Sequence, residues 1–356
     1  MFDGKMTRRS FAATMGVGAL AALAGCGGSG GDSGSGASSG DASVKVEMVT
    51  DTGGINDQSF NQLAWKGMQQ LKADNGWEVS YIESKQDSDY VTNLDKAVDD
   101  GCAIVWGIGF AMSEAVNSAA ESNPDVLFGS IEGTNETGAE NLVAVAFRSQ
   151  ESSFAEGYIA ARMSEAGKVG FVGGVTGETI QAFEYGYYAG VEYANKEQGT
   201  KVTYQGQYAE SFTDAAKGKS IAQKMIKDGC DVLFHAAGGA GIGMLEACND
   251  AGVKCIGVDQ DQAIVFPDYT TIISSALKRV DQAVYKVSNG LMDGSIQGEE
   301  NIVMGAADDA VGIAETHDKL PDDVYQSALE VIEKIKAGDI VVPANKADFD
   351  AYVASL

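Results

Sequence analysis

The sequence predicts an α/β protein of two similar lobes that are joined by a hinge and enclose a ligand cleft. Short apolar runs alternate with amphipathic segments along residues 44–356, and their order is repeated in the second half of the chain. Strands that alternate with helices of this length are typical of βαβ units and parallel sheets. A segment of this length is sufficient for two domains with separate cores.

The first series of elements occupies the chain up to residue 131. Strands are predicted at 44–49, 77–82, 103–107 and 126–131, and helices at 60–72, 91–99 and 113–122. After a further strand at 143–147 the same order begins again.

Matched residue spacing supports the repeat. Phe60 is followed by a glycine seven residues later and by a tyrosine fourteen residues beyond that, and Phe183 is followed by the same residue types at the same intervals. The segments 100–105 and 228–233 both begin Asp-Gly-Cys and continue into an apolar run. Several coincidences in the same order predict two lobes of similar topology.

The repeat predicts ligand-binding residues in pairs, because ligands of open parallel sheets bind beyond the carboxyl ends of the strands. Phe60 and Phe183 follow the first strand of each lobe, at the start of the next helix, and could sandwich a planar ligand. Glu132 and Asp259 follow the fourth strands and are suited to binding sugar hydroxyls. The alternative is that the rings pack on their own sheets and that the acids cap helices.

Glycine loops follow the third strand of each lobe and contain Gly107 and Gly238. We interpret them as places where the backbone approaches a ligand and where helix N–H groups are free to donate. A dinucleotide fingerprint would belong on the first strand, and the sequence contains no GxxxxGK[ST] loop.

The sequence gives little support for catalysis, for metal or cofactor binding, or for nucleic-acid binding. The chain has two histidines and no GxSxG elbow with a plausible partner, and His235 is interpreted as a structural histidine rather than a general base. The cysteines that follow Cys26 form no CxxC pair, so neither a metal site nor a cofactor is expected, and pairing of Cys248 with Cys255 is left open. The formal charge of −26 argues against nucleic acid as a partner.

The N-terminus is predicted to be an export signal. Residues 1–25 contain two adjacent arginines before a short apolar run, which is typical of a twin-arginine signal peptide. The sequence Leu-Ala-Gly-Cys at 23–26 resembles a lipobox, so Cys26 is expected to carry lipid that anchors the protein to the outer face of the cell membrane. Residues 26–43 are rich in Gly and Ser and are expected to form a flexible tether.

Five blocks of the chain resemble the basic membrane protein family, lipoproteins that include purine nucleoside receptors of ABC importers. They are residues 51–62 (DTGGINDQSFNQ), 183–187 (FEYGY), 235–241 (HAAGGAG), 257–262 (GVDQDQ) and 274–281 (SSALKRVD). The similarity extends over essentially all of residues 44–356.

The resemblance implies a type I periplasmic-binding-protein fold, with two Rossmann-like lobes and three crossovers between them. Lobe 1 is expected to comprise 44–147 and about 275–303, and lobe 2 to comprise 148–274 and about 304–356. The implied ligand is a purine nucleoside (inosine, guanosine or adenosine), and the implied partners are ABC permease and ATPase subunits.

The resemblance also implies individual roles for binding residues. Phe60 and Phe183 would stack on the purine, Asp51 and Asn61 would lie at its edge, and Gly238, Asp259 and Lys278 would contact the ribose. The chain departs from the family at Glu132, where members often carry Asp.

Three alternative functions are considered. A receptor for a sugar or another small polar solute would keep the acids and Lys278 and would place the Phe rings against an apolar sugar face. A nucleoside-processing enzyme could use Asp51 or Asp57 as its acid, but the sequence offers no nucleophile. A ligand sensor without a transport role would be favoured by a neighbouring kinase gene, whereas permease and ATPase genes would favour import.

Overall fold

The computed structural model describes residues 43–356, which form two six-stranded sheets with helices packed against them. The predicted signal segment, Cys26 and the tether up to residue 42 lie outside the described residues. Within residues 43–356, no helix is both long enough and apolar enough to span a bilayer.

The first lobe is built around a sheet with the strand order β11-β5-β4-β3-β1-β2. Its first elements are β1 (Lys45–Thr50), α1 (Phe60–Asn75), β2 (Glu78–Glu83), α2 (Asp89–Asp99), β3 (Ile104–Ile108), α3 (Ser113–Ser122), β4 (Leu127–Ile131) and β5 (Leu142–Phe147). All pairs in this sheet are parallel.

The second lobe repeats this order in a sheet arranged β12-β10-β9-β8-β6-β7. Its first elements are α4 (Ser149–Met163), β6 (Lys168–Gly173), α5 (Glu178–Gln198), β7 (Thr203–Tyr208), α6 (Ala215–Lys227), β8 (Val232–Ala236), α7 (Gly238–Ala251), β9 (Lys254–Asp259), α8 (Gln262–Val265) and β10 (Ile272–Lys278). The predicted repeat is therefore present in the sheet topology itself.

The remaining elements belong first to lobe 1 and then to lobe 2. They are α9 (Val280–Asp293), β11 (Asn301–Met304), β12 (Val311–Ile313), α10 (Asp322–Lys336) and α11 (Lys346–Ser355). Helix α9 packs on α1, and β11 extends the first sheet, parallel to β5. Strand β12 instead pairs antiparallel with β10 at the edge of the second sheet.

The chain crosses between the lobes three times, after β5, after β10 and after β11. The expected return to lobe 1 at about residue 275 falls inside β10. Because β10 pairs with β9 as far as Leu277 and with β12 as far as Lys278, the chain leaves the second sheet only after Lys278.

The central strands are buried on both faces because helices cover both sides of each sheet. In β1, Val46, Met48 and Val49 are fully buried. The outer strand β2 instead has no buried residue. The burial pattern therefore agrees with the positions of β1 inside the first sheet and of β2 at its edge.

The repeated glycines, Gly67 and Gly190, lie where helices cross closely. A Cβ on Gly67 would meet the carbonyl oxygen of Asp281 in α9, and a Cβ on Gly190 would meet that of Phe154 in α4. The repeated tyrosines also have equivalent contacts, since each packs against an aromatic side chain of the preceding helix. These shared positions thus preserve the same helix packing in both lobes.

Candidate ligand-binding site

A cavity of about 570 Å³, open solvent at its mouth included, lies between the two lobes at the carboxyl ends of the strands. Its lining residues come from both lobes: Asp51, Gly53, Asp57, Phe60, Asn61, Gly109, Phe110, Glu132, Thr179, Ile180, Phe183, Phe212, Ala236, Ala237, Gly238, Val258, Asp259 and Lys278. Eight of the nine ligand-binding residues expected from the sequence are in this set, and Gly107 is not.

Aromatic side chains enter the cavity from opposite lobes. Phe60 is the first residue of α1, whereas Phe183 lies in the second turn of α5, so the expectation that both begin a helix is wrong for Phe183. Helix α5 starts earlier because the loop that follows β6 is shorter than the loop that follows β1. The Lys278 ammonium lies 5.1 Å from the Phe60 ring centroid and 5.0 Å from that of Phe183, so the same group contacts both rings.

Lys278 also forms an ion pair across the cleft. Its Nζ lies 2.7 Å from Oε1 of Glu132, and both side chains are only 4% exposed. Lys278 ends β10 of the second lobe, and Glu132 follows β4 of the first. Charges removed from water require partners of this kind, and the aromatic faces add a further favourable contact for the ammonium.

The acids that follow the fourth strands occupy equivalent and unusual backbone conformations. Glu132 has φ 61° and Asp259 has φ 66°, the left-handed region that costs an L-residue about 1–2 kcal/mol. Both carboxylates line the cavity. Strained residues of this kind concentrate at functional sites, where the surrounding fold holds them in place.

Asp51, Asp57 and Asn61 form one hydrogen-bonded cluster on the first lobe. Asp51 Oδ1 accepts from the Gly53 amide and from Asn61 Nδ2, both at 2.8 Å. Asp57 Oδ2 accepts from the Asn61 amide at 2.8 Å and from Asn61 Nδ2 at 3.1 Å. Burial raises the pKa of Asp51 to about 6 and also raises the pKa of Asp57, although hydrogen bonds to both carboxylates oppose this.

Asp259 is held by a contact from the opposite lobe. The Ser59 hydroxyl donates to Asp259 Oδ2, and both side chains are buried. Burial raises the pKa of Asp259, while the nearby Lys278 ammonium and the Ser59 hydrogen bond lower it.

Further contacts across the cleft show that the structure is a closed form. Gln262 Nε2 donates to the carbonyl oxygen of Gln58 at 3.3 Å. The rings of Phe110 and Phe212, one from each lobe, meet edge to face with centroids 6.1 Å apart. Together with the Ser59 hydrogen bond, these contacts join the loop before α1 to the loops of the second lobe.

Gly107 lies outside the cavity, contrary to the expectation that it faces a ligand. It is inside β3, where a Cβ would collide with Val116 of α3, so its role is close packing of helix on strand. Gly109 lines the cavity instead, with φ 119°, and a Cβ added to it would meet the Asp51 carboxylate. Gly238, the first residue of α7, lines the cavity as expected.

Several lining residues were not singled out from the sequence. Phe110 belongs to the glycine loop after the third strand, so its position in the sequence could have predicted that it lines the cavity. Phe212 comes from the loop after β7 and has no counterpart in the repeat. Asp57, considered from the sequence only as the acid of a possible enzyme, accepts from the amides of Ser59 and Gln62 at the start of α1. A capping acid before a helix is a recognisable pattern.

His235 and the described cysteines do not line the cavity. His235 is fully buried, its Nε2 lies 2.9 Å from Gln262 Oε1, and burial lowers its pKa to about 4. This geometry agrees with a structural histidine. The four cysteines in residues 43–356 are buried free thiols.

Comparisons with known proteins agree with this architecture. Residues 44–346 match the family model Bmp, described as ABC transporter substrate-binding protein PnrA-like. Basic membrane protein A of Borreliella burgdorferi is 36% identical over 321 residues, covering 89% of this chain and 92% of that protein. The CD4+ T-cell-stimulating antigen of Listeria monocytogenes is 38% identical over 317 residues, covering 84% of this chain and 87% of that protein.

Solved structures show the same fold. A solute-binding protein of an ABC transporter system from Aeropyrum pernix superposes with a TM-score of 0.78 at 26% identity, covering 86% of this chain and 96% of its own. A solute-binding protein of an ABC transporter system from Conexibacter woesei superposes with a TM-score of 0.69 at 22% identity, covering 85% of this chain and 99% of its own.

Proposed function

This chain belongs to the Bmp family of PnrA-like ABC transporter substrate-binding proteins, and we propose that it captures a purine nucleoside by closing its lobes around it. The family is described as substrate-binding proteins of ABC transporters, which implies permease and ATPase subunits as partners. The proposal extends to these partners, to delivery from a lipid anchor on Cys26, and to the ligand itself.

One observation carries the choice of ligand: aromatic rings from opposite lobes line the same cavity, whose polar residues come from the strand ends. Phe60 and Phe183 are suited to stacking on the two faces of a base, and each stacked ring typically contributes about 1–3 kcal/mol.

The remaining polar groups suit a ribose. Asp259 and Glu132 provide carboxylate acceptors for hydroxyl groups, and Lys278 provides a donor next to both. Backbone at Gly238 lines the same cavity without a side chain in the way.

The charge of the site favours a nucleoside over a nucleotide. Four carboxyl groups and one ammonium line the cavity, namely those of Asp51, Asp57, Glu132, Asp259 and Lys278. A phosphate would enter a region of negative charge in a protein whose formal charge is already −26, and like charges in a buried site repel strongly.

Isothermal titration of the purified protein tests the proposal, after unfolding and refolding to remove any bound ligand. We expect inosine, guanosine and adenosine as a class to bind more tightly than ribose, glucose or guanosine 5′-monophosphate. Phe60→Ala and Phe183→Ala should each weaken nucleoside binding by about 1–3 kcal/mol, roughly 5- to 150-fold in Kd.

Tyr81→Ala is the matched control, because Tyr81 is an aromatic residue of the first lobe that lies outside the cavity. Its affinity should be unchanged. Binding of glucose or ribose without any nucleoside binding would replace the nucleoside assignment with a sugar receptor.

A further inference from the structure

The Asp51 and Asn61 cluster presents hydrogen-bond acceptors to the cavity. Both hydrogens of Asn61 Nδ2 are used, one by Asp51 and one by Asp57. The opposite amide orientation would place Asn61 Oδ1 against two carboxylate oxygens, so the hydrogen-bond network fixes the assignment.

Asn61 Oδ1 is therefore left as a buried acceptor. Asn61 is 1% exposed and lines the cavity, and its Oδ1 has no partner within residues 43–356. Buried polar atoms are paired in the great majority of cases. An unpaired acceptor at a ligand cavity indicates that the ligand supplies an N–H or O–H donor.

The second acceptor is Asp51 Oδ2. Both hydrogen bonds that Asp51 accepts through its side chain end at Oδ1, so Oδ2 accepts none from the described part of the chain. The Gly53 amide, the nearest backbone donor in the cluster, is already bonded to Oδ1. The cluster thus offers the cavity two acceptors and no free donor.

We propose that this acceptor-only edge makes the site selective for purines with adjacent N–H donors, so that guanosine binds most tightly, inosine less tightly and adenosine least. The proposal rests on nucleoside capture as argued above. Guanine carries donors at N1 and at the 2-amino group, and hypoxanthine carries one at N1. Adenine instead presents the lone pair of N1 beside its 6-amino group, and that lone pair would face an acceptor. Sites built around hydrogen bonds reject ligands that leave buried partners unpaired.

Titration of Asp51 gives this selectivity a pH dependence. In the free protein, burial raises the pKa of Asp51 to about 6, and the charges of Asp57 and Asp87 add to this effect. Above pH 6 the ionised carboxylate is an acceptor, and below it the protonated group becomes a donor. Guanosine affinity should fall as the pH drops through 6, whereas adenosine affinity should be kept or should rise.

The test is isothermal titration with guanosine, inosine and adenosine at pH 7.5 and pH 5.0, for the wild type, Asp51→Asn and the control Asp95→Asn. Asp51→Asn keeps the oxygen that accepts from Gly53 and Asn61 and converts the other oxygen into a donor. In the wild type at pH 7.5 we expect guanosine to bind at least about tenfold more tightly than adenosine. Asp51→Asn should reverse that order, and Asp95→Asn, an exposed change on α2, should not alter it.

If Asp51→Asn fails to fold, the guanosine and adenosine affinities of the wild type at pH 7.5 and pH 5.0 still test the selectivity. Equal guanosine and adenosine affinities at pH 7.5, or a guanosine-to-adenosine ratio that Asp51→Asn leaves unchanged, would overturn the selectivity while nucleoside capture stands. A ratio that does not fall in the wild type between pH 7.5 and pH 5.0 would overturn it as well. If no nucleoside binds the wild type at any pH, the proposed function and this inference both fail.

Discussion

The least exposed of the buried acidic side chains, that of Glu156, lies outside the cavity. Glu156 is fully buried in α4, and Ser274 donates to its Oε1 at 2.8 Å. Its Oε2 has no partner within residues 43–356. Burial raises the pKa of Glu156 to about 8, and the charge of Asp261 adds to the effect.

This pKa predicts how stability depends on pH. An acid whose pKa is higher in the folded state contributes stability below its unfolded pKa of about 4.5 and loses that contribution as the pH rises through about 8. We expect Glu156→Gln, which removes the ionisation, to be more stable than the wild type at pH 8.5 by up to about 5 kcal/mol. At pH 4.5 the two proteins should have similar free energies of unfolding.

Urea unfolding at pH 4.5, 6.5 and 8.5 measures this difference. Glu330→Gln is a suitable control, because Glu330 is an exposed residue of α10 and should show the same pH profile as the wild type. A Glu156→Gln profile that runs parallel to the wild-type profile would mean that Glu156 is ionised in the folded protein at neutral pH.

At the scale of secondary-structure elements, glycines allow helices to pack closely. Helices α4 and α5 meet through glycines, and a Cβ at Gly157 or at Gly190 would collide with a backbone carbonyl of the other helix. Backbone cannot move aside as a side chain can, so these glycines set the distance between the two helices.

Gly190→Ala should therefore destabilise the protein. Alanine is favoured over glycine in a helix by about 1 kcal/mol, but overpacking against backbone costs about 1–3 kcal/mol or more, and we expect the second effect to be larger. Urea unfolding should show a net loss of about 1 kcal/mol or more. Gly312→Ala in β12 is the control, because no heavy atom lies within 4 Å of its added Cβ. An increase in stability for Gly190→Ala would show that the helices separate freely.

At the scale of the whole molecule, contacts between the two lobes stabilise the closed form. The contacts between Ser59 and Asp259, between Gln58 and Gln262, and between Glu132 and Lys278 all join one lobe to the other. A bond between lobes exists only when they are closed, so it stabilises the closed form relative to the open form and contributes little within either lobe.

Ser59→Ala tests this distinction, because Ser59 does not line the cavity. A hydrogen bond to a charged group contributes about 1.5–3 kcal/mol, so nucleoside affinity should fall roughly 10- to 150-fold. The free energy of unfolding should change little, and small-angle scattering should show a larger radius of gyration for the variant at subsaturating ligand. Ser113→Ala removes hydroxyl contacts within lobe 1 and should leave affinity unchanged. Unaltered affinity in Ser59→Ala would mean that closure does not depend on this bond.

The local pattern of the sequence was enough to predict the elements and their repetition. Apolar periodicity and matched spacing predicted parallel α/β lobes, with strand ends within one or two residues of their positions in the structure. The rule that ligands bind at strand ends then placed Phe60, Glu132, Phe183 and Asp259 together, and the structure brings all four into one cavity. The family resemblance added Lys278, which spacing alone would not have selected.

Tertiary structure decided the partners across the cleft. Glu132 and Lys278 are 146 residues apart, and Ser59 and Asp259 are 200 apart. No sequence period relates such residues, because their contact depends on how two separately folded sheets face each other. The residue at which β3 ends also had to come from the structure. Both Gly107 and Gly109 suit a turn, but β3 continues to Ile108, so Gly107 lies inside the strand and Gly109 lines the cavity beyond its end. Local chemistry therefore determined the sheets and the kinds of residue at their ends, and packing between the lobes determined which of them meet.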